Sequence, residues 1–141
     1  MKTLNFLTHQ DIFDQAVNHL LGQKRAALLP RGGGAYHGYC GGCPVGSFIK
    51  PRDYTTAMEG IPVRYVGKPP VEVPAYMDVG LSALKKALLR ARINIYDPAT
   101  IDLLSCLQNV HDVFGTWEWR ERLGSIARQF GLSAERLRNA A

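Results

Sequence analysis

The chain is short of cysteine: Cys40, Cys43 and Cys106 are the only three among 141 residues. So low and odd a count excludes the disulfide framework of a small secreted domain and points to a reduced, cytoplasmic setting. No apolar run approaches the roughly 18–20 residues of a membrane span. The opening Met1-Lys2-Thr3-Leu4-Asn5-Phe6 has neither the apolar stretch nor the small-residue cleavage site of a secretory signal. No membrane contact is therefore expected. Internal repeats, low-complexity tracts and long blocks of like charge are missing as well. So are the Gly-Lys-Ser/Thr ending of a Walker loop, the Gly-x-Gly-x-x-Gly fingerprint and a second Cys-x-x-Cys.

What is present describes an ordinary globule. Hydrophobic residues at 46% and charged residues at 21% suit one compact domain over residues 1–141. The net charge of +5 permits an acidic partner, a matter of association and not of fold. Its Lys and Arg are spread out, with small clusters at Lys24-Arg25, Lys85-Lys86-Arg90-Arg92 and Arg120-Arg122-Arg128.

The chain divides into an N-terminal helix (1–29), a Gly/Pro-rich segment (30–76) and a helical half (77–141). Thr8 is placed to cap a helix over 8–21, in which Ile12, Phe13, Ala16, Val17, Leu20 and Leu21 recur at helical spacing. Residues 30–76 hold seven of the eight prolines and nine of the fourteen glycines, which excludes a long helix there. Val63-Arg64-Tyr65-Val66 and Val71-Glu72-Val73 read as strands of a hairpin around Gly67-Lys68-Pro69-Pro70. Helices are expected again near 77–92, 98–114 and 117–130, with a short last one from Ser133. Asp97-Pro98 signals a helix start and Gly131 a stop. In the 98–114 helix Leu103, Leu107, Val110 and Phe114 should face Trp119, Leu123, Ile126 and Phe130 of the next, while Trp117 points away. The expected fold is mainly α, four to five helices, with α+β as the variant if the hairpin forms.

The stretch Arg31–Gly46, RGGGAYHGYCGGCPVG, concentrates the candidate chemistry. His37, Cys40 and Cys43 have the spacing of a zinc knuckle. The fourth ligand would come from Cys106 or His111, which lie about 140° apart on a helix and so cannot easily share one ion. A redox role for Cys-x-x-Cys is weakened by Pro44, which follows directly. Arg31-Gly32-Gly33-Gly34, with Lys24 and Arg25 nearby, offers backbone amides to an anion. Cys43 as nucleophile, with His111 as base and Glu59 nearby, would make a cysteine-dependent enzyme or a small-ligand pocket. Asp112 would orient His111 poorly, because adjacent helical residues point about 100° apart. The plainest alternative is a tight turn that presents Tyr36 while Cys43 and Val45 pack inward, with glycine at positive-φ and close-approach positions.

At the other end Ala127, Gly131 and Leu137 have the spacing of a helix-turn-helix, with Arg128, Arg136 and Arg138 able to touch phosphates. A simple αα corner uses the same skeleton.

The stretch GGGAYHGYCGGCPVGSFIKPRDYTTAMEG resembles a pattern in small uncharacterised proteins of tailed phages and prophages. There a Tyr-x-Gly leads into Cys-x-Val-Gly, an apolar pair, a Tyr and a Glu-Gly. The corresponding residues are Tyr36, Gly38, Cys43, Val45, Gly46, Phe48, Ile49, Tyr54, Glu59 and Gly60. LLSCLQNVHDVFGTWEWRERLGSIARQFGLSAERL is similar to the C-terminal half of that group at Leu107-Gln108, His111-Asp112, Trp119 and Ile126-Ala127. His37 stands where the pattern has Arg, and Cys40 is extra, which counts against a zinc site shared by the group. The resemblance implies a mobile-element setting and no particular reaction. With the small size and the incomplete catalytic sets, it leads to an accessory protein that binds a host protein or protein–nucleic-acid complex. Such a protein would be a non-enzymatic inhibitor or counter-defence factor in the host cytoplasm. Arg31, Tyr36, Tyr39, Lys50, Arg52, Tyr54 and Trp117 are its expected contact residues, and direct nucleic-acid binding through the C-terminal corner is the alternative.

Overall fold

The computed structural model describes residues 5–23, 34–37 and 42–139. Five α-helices are found among them: α1 (His9–Gln23), α2 (Asp78–Arg90), α3 (Pro98–Val113), α4 (Trp119–Phe130) and α5 (Glu135–Asn139). The mainly-α architecture agrees with the helical periodicity.

Local chemistry sets the helix ends. Thr8 and Asp11 cap α1 reciprocally: the Asp11 N–H donates to the Thr8 hydroxyl at 3.0 Å, and the Thr8 N–H donates to the Asp11 carboxylate at 3.0 Å. Asp97 accepts from the Ala99 N–H at 3.2 Å, with Pro98 at the first position of α3. A single 3-10 turn, Thr116–Glu118, precedes α4, so the α-helix starts two residues later than expected. Gly131, at φ 66°, closes α4, and the Leu132 N–H returns to the Ala127 carbonyl at 2.8 Å.

One core joins all these pieces. Helix α3 packs against α1 and α4, and α5 closes over α1 and α4. Leu103, Leu107 and Val110 are buried in the same cluster as Trp119, Leu123 and Ile126, as their spacing requires. Phe114 and Phe130, expected within those stripes, are only partly buried because they end their helices at the edge of the core. Trp117 stands 85% exposed.

The expected hairpin does not form. Apart from an isolated bridge at Gly34, the described residues contain no strand. Val63–Gly67 and Pro70–Glu72 are instead 3-10 turns, two of six between Gly46 and Met77. Proline explains the difference. Pro62, Pro69 and Pro74 hold φ at −63°, −60° and −57° and donate nothing to a ladder. Their carbonyls accept locally, from the N–H groups of Tyr65 (3.1 Å), Glu72 (2.9 Å) and Met77 (2.9 Å). Val71 is also 94% exposed, so the second run has no face to bury. The turns wrap the helices, 63–67 against α3 and 56–58 against α2. No described helix is long and apolar enough to cross a membrane.

Candidate functional site

Glu59 organises the irregular middle. Its carboxylate accepts the backbone N–H of Tyr36 at 2.7 Å, that of His37 at 3.1 Å and the Tyr54 hydroxyl at 2.7 Å. Backbone amides that a turn leaves unpaired are thereby satisfied by a side chain more than twenty residues away. Burial and the Glu59 hydrogen bond push the Tyr54 hydroxyl up to about 12. Tyr54 also stacks on His37, ring centroids 4.4 Å apart, and the His37 Nε2 lies 2.9 Å from the Gly46 carbonyl. Tyr36 is buried and its hydroxyl donates to the Ile61 carbonyl. Desolvation, followed by the nearby Cys43, holds that phenol far above its ordinary range. Backbone meets backbone here: a Cβ at Gly42 or Gly46 would stand 1.9 Å from the Tyr36 carbonyl oxygen. Close approach is what these two glycines supply, not positive φ.

Against this pinned loop lies the C-terminal half of α3. Ser105, Gln108, Asn109 and Asp112 recur at helical spacing on one face and line a cleft of about 350 Å³. Its other walls are Gly34 and Tyr36, and Gly60 to Pro62 with Arg64. Gln108 ties wall to wall by accepting the Val63 N–H at 2.9 Å. The Ser105 hydroxyl is shielded from solvent and has no hydrogen-bond partner among the described residues. Arg64 supplies a cation, Asp112 an anion and Asn109 an amide, so the cleft suits recognition of a polar group beside the exposed Val113. Sequence reading missed Arg64, Ser105 and Asn109. The polar spacing on α3, opposite its apolar stripe, was the available signal.

The fold brings Cys43 within electrostatic reach of Asp112, whose carboxylate pairs with His111, but it withdraws the thiol from solvent. Cys43 is buried, its Sγ accepts from the Gly46 N–H at 3.4 Å, and burial pushes the thiol up to about 12. A thiol so held is not a nucleophile at neutral pH. Glu59 is committed to the loop, and His111 is 2% exposed, tilted against Trp119 at 5.9 Å. The expectation that His111 and Asp112 diverge is corrected: Nδ1 and Oδ1 lie 2.7 Å apart. The carboxylate folds over the last turn of α3 into space that only a glycine at 34 leaves, 1.8 Å from where a Cβ would be.

Among the zinc candidates, His37 is engaged as described, Cys43 is buried, and Cys40 lies outside the described residues. No three His, Cys, Asp or Glu side chains converge as for a metal among the described residues. Arg31 and Tyr39 lie outside them too, as do Lys24, Arg25 and Gly32-Gly33 of the expected anion cradle.

Of the expected contact residues, Tyr36 is corrected to a core residue and Tyr54 to a half-buried one, because both phenols are spent inside the loop. Lys50, Arg52 and Trp117 are exposed. Arg128 lies in the last turn of α4, while Arg136 and Arg138 are exposed on α5, whose five residues bury Leu137 against the core. Arg136 lines a pocket together with Asp14 and Glu135. Compared with family models, curated proteins and solved structures, the chain matches none.

Proposed function

We propose that this chain is a phage-type accessory protein that binds a host protein in the host cytoplasm, as an inhibitor or counter-defence factor, and performs no chemistry on it. The observation that carries this reading is Trp117, 85% exposed at the α3–α4 junction, with Val113, 66% exposed, beside the polar cleft. Val113 borders a cleft that also holds Arg64 and Asn109, and with the exposed Trp117 ring these residues have the composition of a binding hot spot, apolar anchors with a polar rim. Gly115 lies directly under the Trp117 ring, so the anchor has a fixed seat. The withdrawn Cys43 thiol and the committed Glu59 favour binding over catalysis. The resemblance to phage proteins supplies the setting.

The test compares wild-type protein with a Trp117→Ser, Val113→Ser double variant, each immobilised and exposed to nuclease-treated bacterial lysate. One host protein should be retained in stoichiometric amount by the wild type and lost by the variant, with the melting temperature unchanged. Equal retention by both, or none by either, rejects the reading. Alkylation of Cys43 in the folded protein faster than that of free cysteine at neutral pH would restore the enzyme alternative.

A further inference from the structure

The basic stripe of α2 has no part in the reading above. Val79, Ser82, Lys86 and Arg90 follow one another at three- and four-residue steps and therefore share a face of the helix. That face and the 51–55 turn enclose a pocket of about 420 Å³, to which Arg52 and Asp53 also contribute. The volume is that of a small-ligand site.

Asp53 gives the pocket its chemistry. Its side chain is 8% exposed, and one carboxylate oxygen, Oδ1, pairs with the Arg90 guanidinium at 3.3 Å. The other, Oδ2, is buried without any hydrogen-bond partner among the described residues. A buried acceptor left unmade is costly, so a donor able to reach Oδ2 from the pocket would relieve that cost. Arg90 offsets the Asp53 charge. Arg52 and Lys86 then remain as cations with no ion-pair partner among the described residues. A bare oxyanion would satisfy these two but would face the carboxylate with nothing to donate. The matching ligand joins an anionic group to a neutral hydrogen-bond donor, with an apolar surface for Val79, which is 76% exposed about 10 Å along the helix from Lys86. We propose that this pocket binds a nucleotide unit, its phosphate on Arg52 and Lys86 and a sugar hydroxyl or base amine donating to Asp53. Charge-assisted contacts of this kind are the strong ones in a half-open site.

The experiment is an NMR titration of the isotope-labelled full chain with adenosine 5′-monophosphate, ribose 5-phosphate, inorganic phosphate and a single-stranded pentanucleotide. The two esters should shift the amides of residues 51–55 and 79–90 and bind roughly tenfold more tightly than inorganic phosphate, the worth of one good polar contact. Lys86→Glu and Arg52→Ala change exposed side chains, so the fold should persist, and each should weaken ester binding by about tenfold or more. Asp53→Asn should shrink the preference for esters over inorganic phosphate. A pentanucleotide that binds more tightly than the mononucleotide, with steep salt dependence, identifies nucleic acid as the source; equal binding identifies a free nucleotide. Inorganic phosphate binding as tightly as the esters overturns the proposal. So does binding indifferent to Lys86→Glu, and so does the absence of any shift at millimolar ligand. None of these outcomes touches Val113 or Trp117, so the host-protein reading stands or falls separately.

Discussion

In α3 and α4 the buried residues come every third or fourth place, Leu103, Leu107 and Val110 on one helix and Trp119, Leu123 and Ile126 on the other. Between Ala35 and Val66 the buried side chains among the described residues include Tyr36, Cys43, Val45, Phe48, Ile49, Met58, Ile61 and Val63, and no single period fits them. The two regions feed one core, but they satisfy their backbones differently. A helix pairs its own amides, so apolar spacing alone decides what it buries. The middle closes six short turns and leaves amides over, which side chains must collect from elsewhere. Glu59 takes those of Tyr36 and His37, Gln108 that of Val63, and Gln23 that of Gly42. Stability in the helical half is therefore a property of surfaces, and in the middle a property of a few acceptors.

The largest effect should come from the helical surfaces. Leu107→Ala removes a fully buried side chain from α3 and should cost about 2–5 kcal/mol in urea unfolding. Phe130→Ala should cost about half as much, because the ring is only partly buried at the end of α4. A larger loss from Phe130 than from Leu107 would mean that the edge of the core is misplaced.

Glu59→Ala probes the other region. It strands two backbone amides and a phenol, and should cost about 2–3 kcal/mol, the range for charge-assisted hydrogen bonds counted non-additively. The loss should be local in character. Hydrogen exchange at Tyr36 and His37 should accelerate while the α3 amides stay protected, and mapped alkylation should find Cys43 newly reactive. If exchange rises equally in α3, the middle and the helices are one cooperative unit and the contrast drawn between them fails.

How far this was legible in the sequence follows from the same contrast. Asp97-Pro98, Gly131 and the apolar spacings located the helices, because each signal lies within a turn or two of what it determines. The hairpin expected over Val63–Val73 does not form because Pro62, Pro69, Pro70 and Pro74 forbid the ladder that the β-branched runs alone suggest. Glu59 and His111-Asp112 stand out by residue type, but their partners do not. Tyr36 lies 23 positions from Glu59, and Val63 lies 45 from Gln108, so no local pattern announces either pair. The unpaired oxygen of Asp53 was invisible for the same reason, since only the packed fold shows which acceptor goes without a donor.

A smaller effect, with a pH signature, is expected at the start of α3. Asp97 accepts from Thr100, His9 and Ala99. The Thr100 hydroxyl above all, then the His9 contact and the Ala99 N–H, hold its carboxyl below the ordinary 3.8. A depressed folded-state value gives stability that is present above 3.8 and lost as pH falls through the lower, folded value. Asp97→Ala should therefore cost about 1 kcal/mol at neutral pH, the usual worth of an N-cap. In a urea series from neutral to acid the two proteins should converge once the carboxylate is protonated in both states. A gap that stays constant down to the lowest pH would assign the effect to packing instead.

The smallest change expected is a gain, at the end of α2. Arg92 is the one non-glycine residue with positive φ among those described, at 65°. It occupies the left-handed position that closes a helix: its N–H reaches the Leu89 carbonyl at 3.0 Å and the Ile93 N–H reaches that of Leu88 at 3.0 Å. Glycine takes that conformation without the strain of roughly 1–2 kcal/mol that a Cβ brings. Part of the benefit is offset by the greater freedom of glycine in the unfolded chain. The Arg92 carbonyl, which accepts the Leu7 N–H at 2.8 Å and fastens the entry to α1, is untouched by the substitution. Arg92→Gly should thus stabilise by about 0.5–1 kcal/mol and raise the melting temperature by roughly 1–4 °C for a chain of this length. Hydrogen exchange at Tyr36, His37 and Val63 should not change, because a helix cap is paired locally and the middle draws on other acceptors. A fall in melting temperature would show that the attraction between Arg92 and the Asp11 carboxylate outweighs the strain that glycine relieves. Altered exchange at Val63 would show that the end of α2 and the turns beside it are coupled after all.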